Sequence, residues 1–431
     1  MNATSRYIIR AFALCGSLLF CTFAFPASHC EPDGFQTSGS VYRICMPNPE
    51  DYNGRLIIWA HGFQDANEPV EIPEDQLKGD GQSIQQFFND LGFGFATNSY
   101  SKTGLAVRQG MEDILDLVNI YSAAKGNPDK IYLTGASEGG LIATLLLEQH
   151  PDIFDGGLAA CGPIGDFPYQ VRYIGDARAT FDYFFPGLIP GDPFHPTPDL
   201  VAGWDGFYDA TVKPGIMAAA QKKALNRWVR VAKMPSDSSR PRISKEEAAN
   251  DVLHYAVVNL NEAADTLGGF PFGNLHRRYS GLANNRQLNR LVPRISSDPV
   301  AILEMQNHYN TSGQLHVPLI TLHSTGDWLV PYQHEVLYIT KTKESGSYRK
   351  RHLNIQTSGY GHCEFTEGEV LFAVAMLAVY THDTAVVEHL AKSIQVPSLK
   401  KEFRRLADRN KIRIDFSDLR IRIRLPGGIH F

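Results

Sequence analysis

At 431 residues the chain can bury one large core or two ordinary ones. Its hydrophobic content of 43% is that of a soluble globular protein, and a formal net charge of −5 leaves no cationic footprint for nucleic acid.

The N-terminus stands apart. Arg6 and Arg10 precede an almost unbroken apolar run from Ala11 to Phe25 that stops at Pro26. The run is short for a membrane span and has the form of a secretory signal, so residues 1–27 are expected to be removed, with cleavage after Ala24 or Ala27. A secreted or periplasmic location follows, with no transmembrane segment in the mature chain. Of six cysteines, Cys30, Cys45, Cys161 and Cys363 would remain. An even number in an exported protein suggests two bridges among three pairings, and the spacings match no zinc site.

From about residue 35 onward, strand-like runs alternate with helical periods, the pattern of an α/β sheet. Val41–Cys45 reads as a hairpin arm, and Arg55–Ala60 and Gly92–Thr97 as buried strands. Gln109–Ala124 has a helical apolar face. Lys130–Thr134 is a strand, Leu141–His150 a helix and Gly156–Cys161 the next strand. The rhythm then stops until Val317–His323 and His352–Gln356, which precede a long apolar helix over Glu364–His382. The intervening stretch carries helical patterns at Lys213–Val231 and Ser244–Leu267. Residues 162–315 are therefore expected to form a mainly helical cap on a core built from 28–161 and 316–395. Residues 396–431 are read as a C-terminal β-ribbon extension, since Lys411–Phe416 and Leu419–Leu425 alternate apolar and charged residues.

The most informative run is Gly135-Ala136-Ser137-Glu138-Gly139-Gly140, between a strand and a helix. Glycines at G-x-S-x-G spacing permit a turn so sharp that side chains there would collide with backbone. The serine then stands clear of the sheet at the positive end of a helix, where N–H groups can face an oxyanion. Such a serine needs a base, and the base needs an orienting acid. His362, in Gly359-Tyr360-Gly361-His362-Cys363, follows the last strong strand and is the expected base; His323 and His334 are the alternatives. Asp327 follows the strand Val317–His323, at the end where catalytic groups gather in an open sheet. Ser137, Asp327 and His362 then occur in the Ser…Asp…His order that this elbow calls for. The second oxyanion donor, beside the Glu138 N–H, is assigned to Phe63 in His61-Gly62-Phe63, with His61 structural.

Together these residues resemble the α/β-hydrolase fold over most of the mature chain. The resemblance is nearest to secreted bacterial α/β-hydrolases beside the prolyl-oligopeptidase-like and tannase/feruloyl-esterase-like enzymes. It rests on Tyr42-Arg43 with the W-A-H-G-F turn, Asn98-Ser99-Tyr100-Ser101, G-A-S-E-G-G, T-G-D-W-L-V-P with His334-Glu335, and G-H-C-E-F-T. The fold and the triad are what it implies; substrates in such families span esters, thioesters and peptides. Two departures stand out. Ala136 replaces the cysteine that tannase-like enzymes carry before the serine, so their bridge cannot form, and Glu138 places a carboxylate beside the nucleophile. A Cys161–Cys363 bridge would instead pin the histidine loop to the sheet, leaving Cys30–Cys45 to staple the N-terminal arm; two buried thiols are the alternative.

The cap is dense in aromatic residues, and Tyr169 and Phe184 are the rings expected to face the cleft and favour an apolar or aromatic substrate. The reading is an exported serine hydrolase acting on small-molecule or polymeric carboxylic esters, with no metal or organic cofactor. The alternatives are a peptidase on short peptides, in which Glu138 or Asp166 would bind a free amine, and an inactive binding protein.

Overall fold

Apolar runs bounded by turns pack into a nine-stranded sheet, β1 His29–Cys30, β2 Gly34–Phe35, β3 Val41–Met46, β4 Arg55–Ala60, β5 Gly94–Asn98, β6 Lys130–Ala136, β7 Gly156–Ala160, β8 Leu319–Gly326 and β9 His352–Tyr360. The computed structural model describes residues 29–78, 83–393, 396–415 and 422–424. The secretory segment read at 1–27 lies outside the described residues. Strands run in the order β1-β3-β5-β4-β6-β7-β8-β9, with β2 paired to β3. Pairing is antiparallel from β1 to β5 and parallel from β5 through β9. This is the α/β-hydrolase arrangement. Its parallel half aligns the carboxyl ends of β4, β6, β7, β8 and β9 along one rim.

The central strands are buried on both faces, which is why Leu56, Ile57 and Ile58 form a continuous apolar run rather than an alternating one. The helix Val107–Lys125 buries Ile114, Leu117, Val118 and Tyr121 at helical spacing, and the helix Glu138–Gln149 is apolar all round because it packs in the interior. On the other face lies the helix Glu367–Tyr380, started by a capping box between Thr366 and Glu369.

Between β7 and β8 the described residues form helices and loops. The first helix, Phe167–Phe184, was not evident from sequence because aromatic side chains mark both of its faces. The helix read over Lys213–Val231 is broken into 213–217, 219–221 and 222–232. That over Ser244–Leu267 is interrupted by a π-helical turn at Tyr255–Asn259. The helices bury a cluster of their own around Trp204, Trp228 and Phe181. Phe167, Val171, Leu260 and Ala263, however, belong to the same apolar cluster as Ile58 and Leu133 of the sheet. They are fused to the sheet side.

The C-terminal expectation needs one correction. Residues Pro397–Asn410 are helical, burying Phe403, Leu406 and Ala407 at i, i+3, i+4 spacing. The ribbon follows, with β10 Arg413–Asp415 antiparallel to β11 Arg422–Arg424; the rest of the alternating segment lies outside the described residues. Among the described residues no helix is long and apolar enough to cross a membrane.

Two disulfides are present. Cys30–Cys45 ties β1 to β3, and Cys161–Cys363 joins the end of β7 to the loop after β9.

Candidate active site

At the end of β6 the backbone turns so tightly that Ser137 adopts φ 56°, ψ −121°, outside the regions a serine favours. The glycines on either side make the turn possible. A Cβ on Gly135 would stand 2.3 Å from the Gly139 carbonyl oxygen, and one on Gly139 would stand 2.0 Å from the oxygen of Ala60. Ser137 N–H donates to Ala160 O at 2.9 Å, which fixes the elbow against β7. The strain is held by the sheet on both sides.

Ser137, His362 and Asp327 come together although they are far apart in sequence. His362 Nε2 lies 2.9 Å from Ser137 Oγ, and His362 Nδ1 lies 2.8 Å from Asp327 Oδ2. With Nδ1–H donating to the carboxylate, Nε2 is free to accept the serine proton. Asp327 is itself held in place, since its Oδ1 accepts from the N–H groups of Leu329 and Val330, both at 2.9 Å. The alternatives fall elsewhere. His334 is buried with Nε2 2.9 Å from Gln170 Oε1 and its ring edge-on to Tyr169, and His323 sits behind Asp327.

Behind Asp327 is a feature that sequence reading missed. His323 is wholly buried, donates Nε2–H to Val330 O at 2.8 Å, and lies 3.6 Å from Asp327 Oδ2 and 3.5 Å from Glu335 Oε1. Those two are ion-pair distances rather than short hydrogen bonds. Burial pulls the imidazole pKa down, but Asp327 and Glu335 outweigh it and lift it to about 10. Burial works the other way on Asp327, yet the facing His362 and His323 hold its carboxyl at about 2. The signs follow from linkage. The stability His323 contributes is complete below its unfolded value of 6.5 and is lost as pH rises through about 10. That from Asp327 is complete above 3.8 and is lost as pH falls through about 2. The melting-temperature gap between wild type and His323→Gln is therefore expected to narrow from pH 6.5 towards 10. A gap that stayed constant across that range would refute the charged assignment of His323.

The turn after β4 faces the serine. A Cβ on Gly62 would stand 3.2 Å from Ser137 Cβ, a tight contact that would press on the serine. Gln76 clamps this turn, its Oε1 accepting from Gly62 N–H at 2.7 Å and its Nε2 donating to Phe63 O at 3.0 Å. A lone glutamine in a loop carries no sequence signal for that role. His61 is buried, stacked on Tyr100 at 3.8 Å, and burial lowers its pKa to about 4. It is neutral and structural.

Glu138 differs from expectation. Its side chain is buried rather than presented to the cleft as a carboxylate, and Oε1 accepts from Ala106 N–H at 2.7 Å. Desolvation raises its pKa to about 8, only partly countered by that hydrogen bond. The same burial disfavours the anionic form that would hold an amine. Asp166 is likewise engaged, with Oδ2 2.9 Å from Arg172.

Two cavities meet at Ser137. The larger, about 570 Å³, is bordered by Trp59, Phe87, His362, Cys363 and Phe365. The smaller, about 90 Å³, is lined mainly by apolar side chains and also reaches Phe63 and Glu138. Neither of the two rings expected to face the cleft borders either cavity. Tyr169 packs edge-on to His334, and Phe184 packs on Tyr183 and lines a separate surface groove. The side chains between β7 and β8 that do so include Tyr255, whose ring lies 5.4 Å from that of Phe63, and Phe167. Cys161, His362 and Cys363 cluster closely, but with both sulfurs in a disulfide the group is no metal-ligand set.

Residues 90–167, running through β5 to the first residue of the helix Phe167–Phe184 and including the Ser137 elbow, match the prolyl oligopeptidase family. The chain is also 42% identical over 148 residues to a protein of Nocardia uniformis subsp. tsuyamanensis described as "Putative esterase NocK"; the match covers 33% of this chain and 42% of that protein's length. Among solved structures, an esterase from Aspergillus oryzae is similar with a TM-score of 0.46 and 14% identity, covering 77% of this chain and 72% of that one. Candida antarctica lipase A is similar with a TM-score of 0.43 and 15% identity, covering 87% and 85%.

Proposed function

We propose that this chain is an exported serine hydrolase that cleaves carboxylic esters bearing apolar or aromatic groups. The observation that carries the proposal is the pair of hydrogen bonds, 2.9 and 2.8 Å, linking Ser137 through His362 to Asp327 where two cavities meet. Ser137 Oγ attacks the acyl carbon while His362 Nε2 takes its proton. Asp327 fixes the imidazole tautomer and stabilises the imidazolium. The N–H groups of Phe63 and Glu138 are the donors for the oxyanion, and the start of the helix Glu138–Gln149 adds its positive end. The imidazolium then protonates the departing alcohol, and a water activated by the same base releases the acid.

Export is supported by two disulfides in a chain whose start has the pattern of a secretory signal. Glu138, buried, tied to the Ala106 N–H and disfavoured as an anion by desolvation, supports esters over substrates held by a free amino group. The peptidase reading keeps one support, the prolyl oligopeptidase match over residues 90–167. A fluorophosphonate probe is expected to label the wild type at Ser137 and to leave Ser137→Ala unlabelled. On unlabelled wild type, aryl esters are expected to turn over at least about a hundredfold faster than aminoacyl-naphthylamides, a gap of about 2.7 kcal/mol in barrier. The reverse ranking would replace the esterase reading with the peptidase one, and absence of labelling would remove both.

A further inference from the structure

The two cavities are chemically unlike, and the position of the histidine distinguishes them. His362 and Cys363 border the larger one only, whereas Ser137 opens into both. In acyl transfer the base that took the serine proton returns it to the leaving alcohol, so the alcohol must lie on the side of the imidazole. The acyl portion then points away from it, into the smaller cavity.

That cavity is walled by Leu141, Val171, Ile174, Leu260 and Ala263, and one side chain in it has an unmet requirement. Asn259 is 5% exposed, and neither its Nδ2 nor its Oδ1 has a hydrogen-bond partner among the described residues. A buried amide without partners is costly, and such groups in native structures mark a missing water or ligand. Two other polar side chains nearby are engaged. Gln170 donates to Leu329 O at 2.8 Å and accepts from His334, while Glu138 accepts from the Ala106 amide. Asn259 ends the π-helical turn that begins at Tyr255, and both of these residues line the cavity. Irregular turns of this kind recur at functional sites.

Resting on the serine-hydrolase reading above, we infer that the smaller cavity is the acyl pocket and that Asn259 reads an uncharged group there that both donates and accepts hydrogen bonds. An amide offers one donor edge and one acceptor edge, so its best complement is a neutral group with both, a carboxamide above all. The volume of about 90 Å³ restricts the pocket to a compact acyl group. Apolar walls with no cationic side chain among them disfavour a carboxylate.

Three 4-nitrophenyl esters of matched shape test this, the 4-carbamoylbutyrate, the 5-methylhexanoate and the glutarate monoester, which end in a carboxamide, an isopropyl group and a carboxylate. In the wild type, kcat/KM for the carboxamide is expected to exceed each of the others by at least about tenfold. In Asn259→Leu, nearly isosteric and apolar, the isopropyl ester should equal or overtake the carboxamide. A wild type that cleaves the isopropyl ester as well as the carboxamide would overturn the inference, as would a preference that survives in Asn259→Leu; the first comparison needs no variant. Carrying the same three groups on the alcohol of an acetate ester provides a control, and selectivity that followed the alcohol would overturn the acyl assignment. Fluorophosphonate labelling of Ser137 separates the levels. Labelled enzyme without the preference sinks this inference alone, and unlabelled enzyme sinks the hydrolase reading beneath it.

Discussion

Ser137→Ala and His362→Ala are each expected to cut turnover by about 10⁶-fold, and Asp327→Asn by about 10⁴-fold. The asymmetry follows from the geometry. On the proposed mechanism Ser137 supplies the atom that bonds to carbon, and His362 Nε2, 2.9 Å away, receives its proton, so neither has a substitute. Asp327 acts through the imidazole, and its replacement leaves the ring in place with the wrong tautomer favoured. His323 makes the aspartate's charge matter twice, because a buried imidazolium would lose one of its two facing carboxylates. Asp327→Asn should therefore also lower the melting temperature, whereas Ser137→Ala, which keeps the Cβ and with it the strain at φ 56°, should leave it nearly unchanged. Turnover is checked by burst-free ester assays and stability by thermal melts on the same preparations. A Ser137→Ala protein retaining a tenth of wild-type turnover would overturn the assignment.

The second large effect concerns Cys161–Cys363, which closes a sequence separation of 202 residues. On the chain-entropy account a loop of that size contributes about 5 kcal/mol. The Cys161→Ser, Cys363→Ser double variant is expected to lose stability of that order in denaturant titrations. Its activity should fall as well, by about 10²-fold, because the bridge anchors the residue next to His362 and a displacement near 1 Å is enough for such a loss. Cys363 Sγ lies 3.5 Å from His362 Nε2, so the anchor is in direct contact with the ring. The bridge Cys30–Cys45, with a separation of 15, provides the comparison. Removing it should cost about 3 kcal/mol and leave kcat unchanged, since it sits at the antiparallel edge of the sheet, away from Ser137. Equal kcat in the two double variants would show that Cys161–Cys363 does not position the histidine.

The juxtaposition of Ser137, Asp327 and His362 was legible because backbone geometry leaves marks in sequence. Glycines sit where a Cβ would collide, and each of the three residues follows a strand that can be recognised from its apolar run. Side-chain direction in the cap leaves no such mark. In Phe167–Phe184 rings occur on all sides, so Tyr169 and Phe184 could not be told from Phe167, the ring that borders the smaller cavity. Tyr255 and Asn259 face the cavities through a π-helical turn, a departure from the 3.6-residue period on which helix reading depends. The state of Glu138 was hidden because it depends on Ala106 and on the depth of burial, neither of which is local in sequence. The helix Pro397–Asn410 was overlooked because basic residues dominate its composition and only Phe403, Leu406 and Ala407 mark its inner face.

The segment Asp327–Val330 belongs to two structures at once. Its aspartate orients the imidazole, and its Leu329 and Val330 form part of the wall of the smaller cavity. Cap helices hold the same segment from outside, Tyr173 through the Trp328 carbonyl at 2.5 Å, Gln170 through that of Leu329 at 2.8 Å, and Asp251 through the Trp328 indole at 2.7 Å. An engineer cannot treat the helical region as an interchangeable module. Grafting a foreign one onto this sheet would withdraw the struts that keep the acid in register, so recombinants made at the strand boundaries should be inactive unless residues 327–330 travel with the graft. Point substitution within the existing helices leaves those struts in place, so it is the route by which specificity can change without disturbing Asp327.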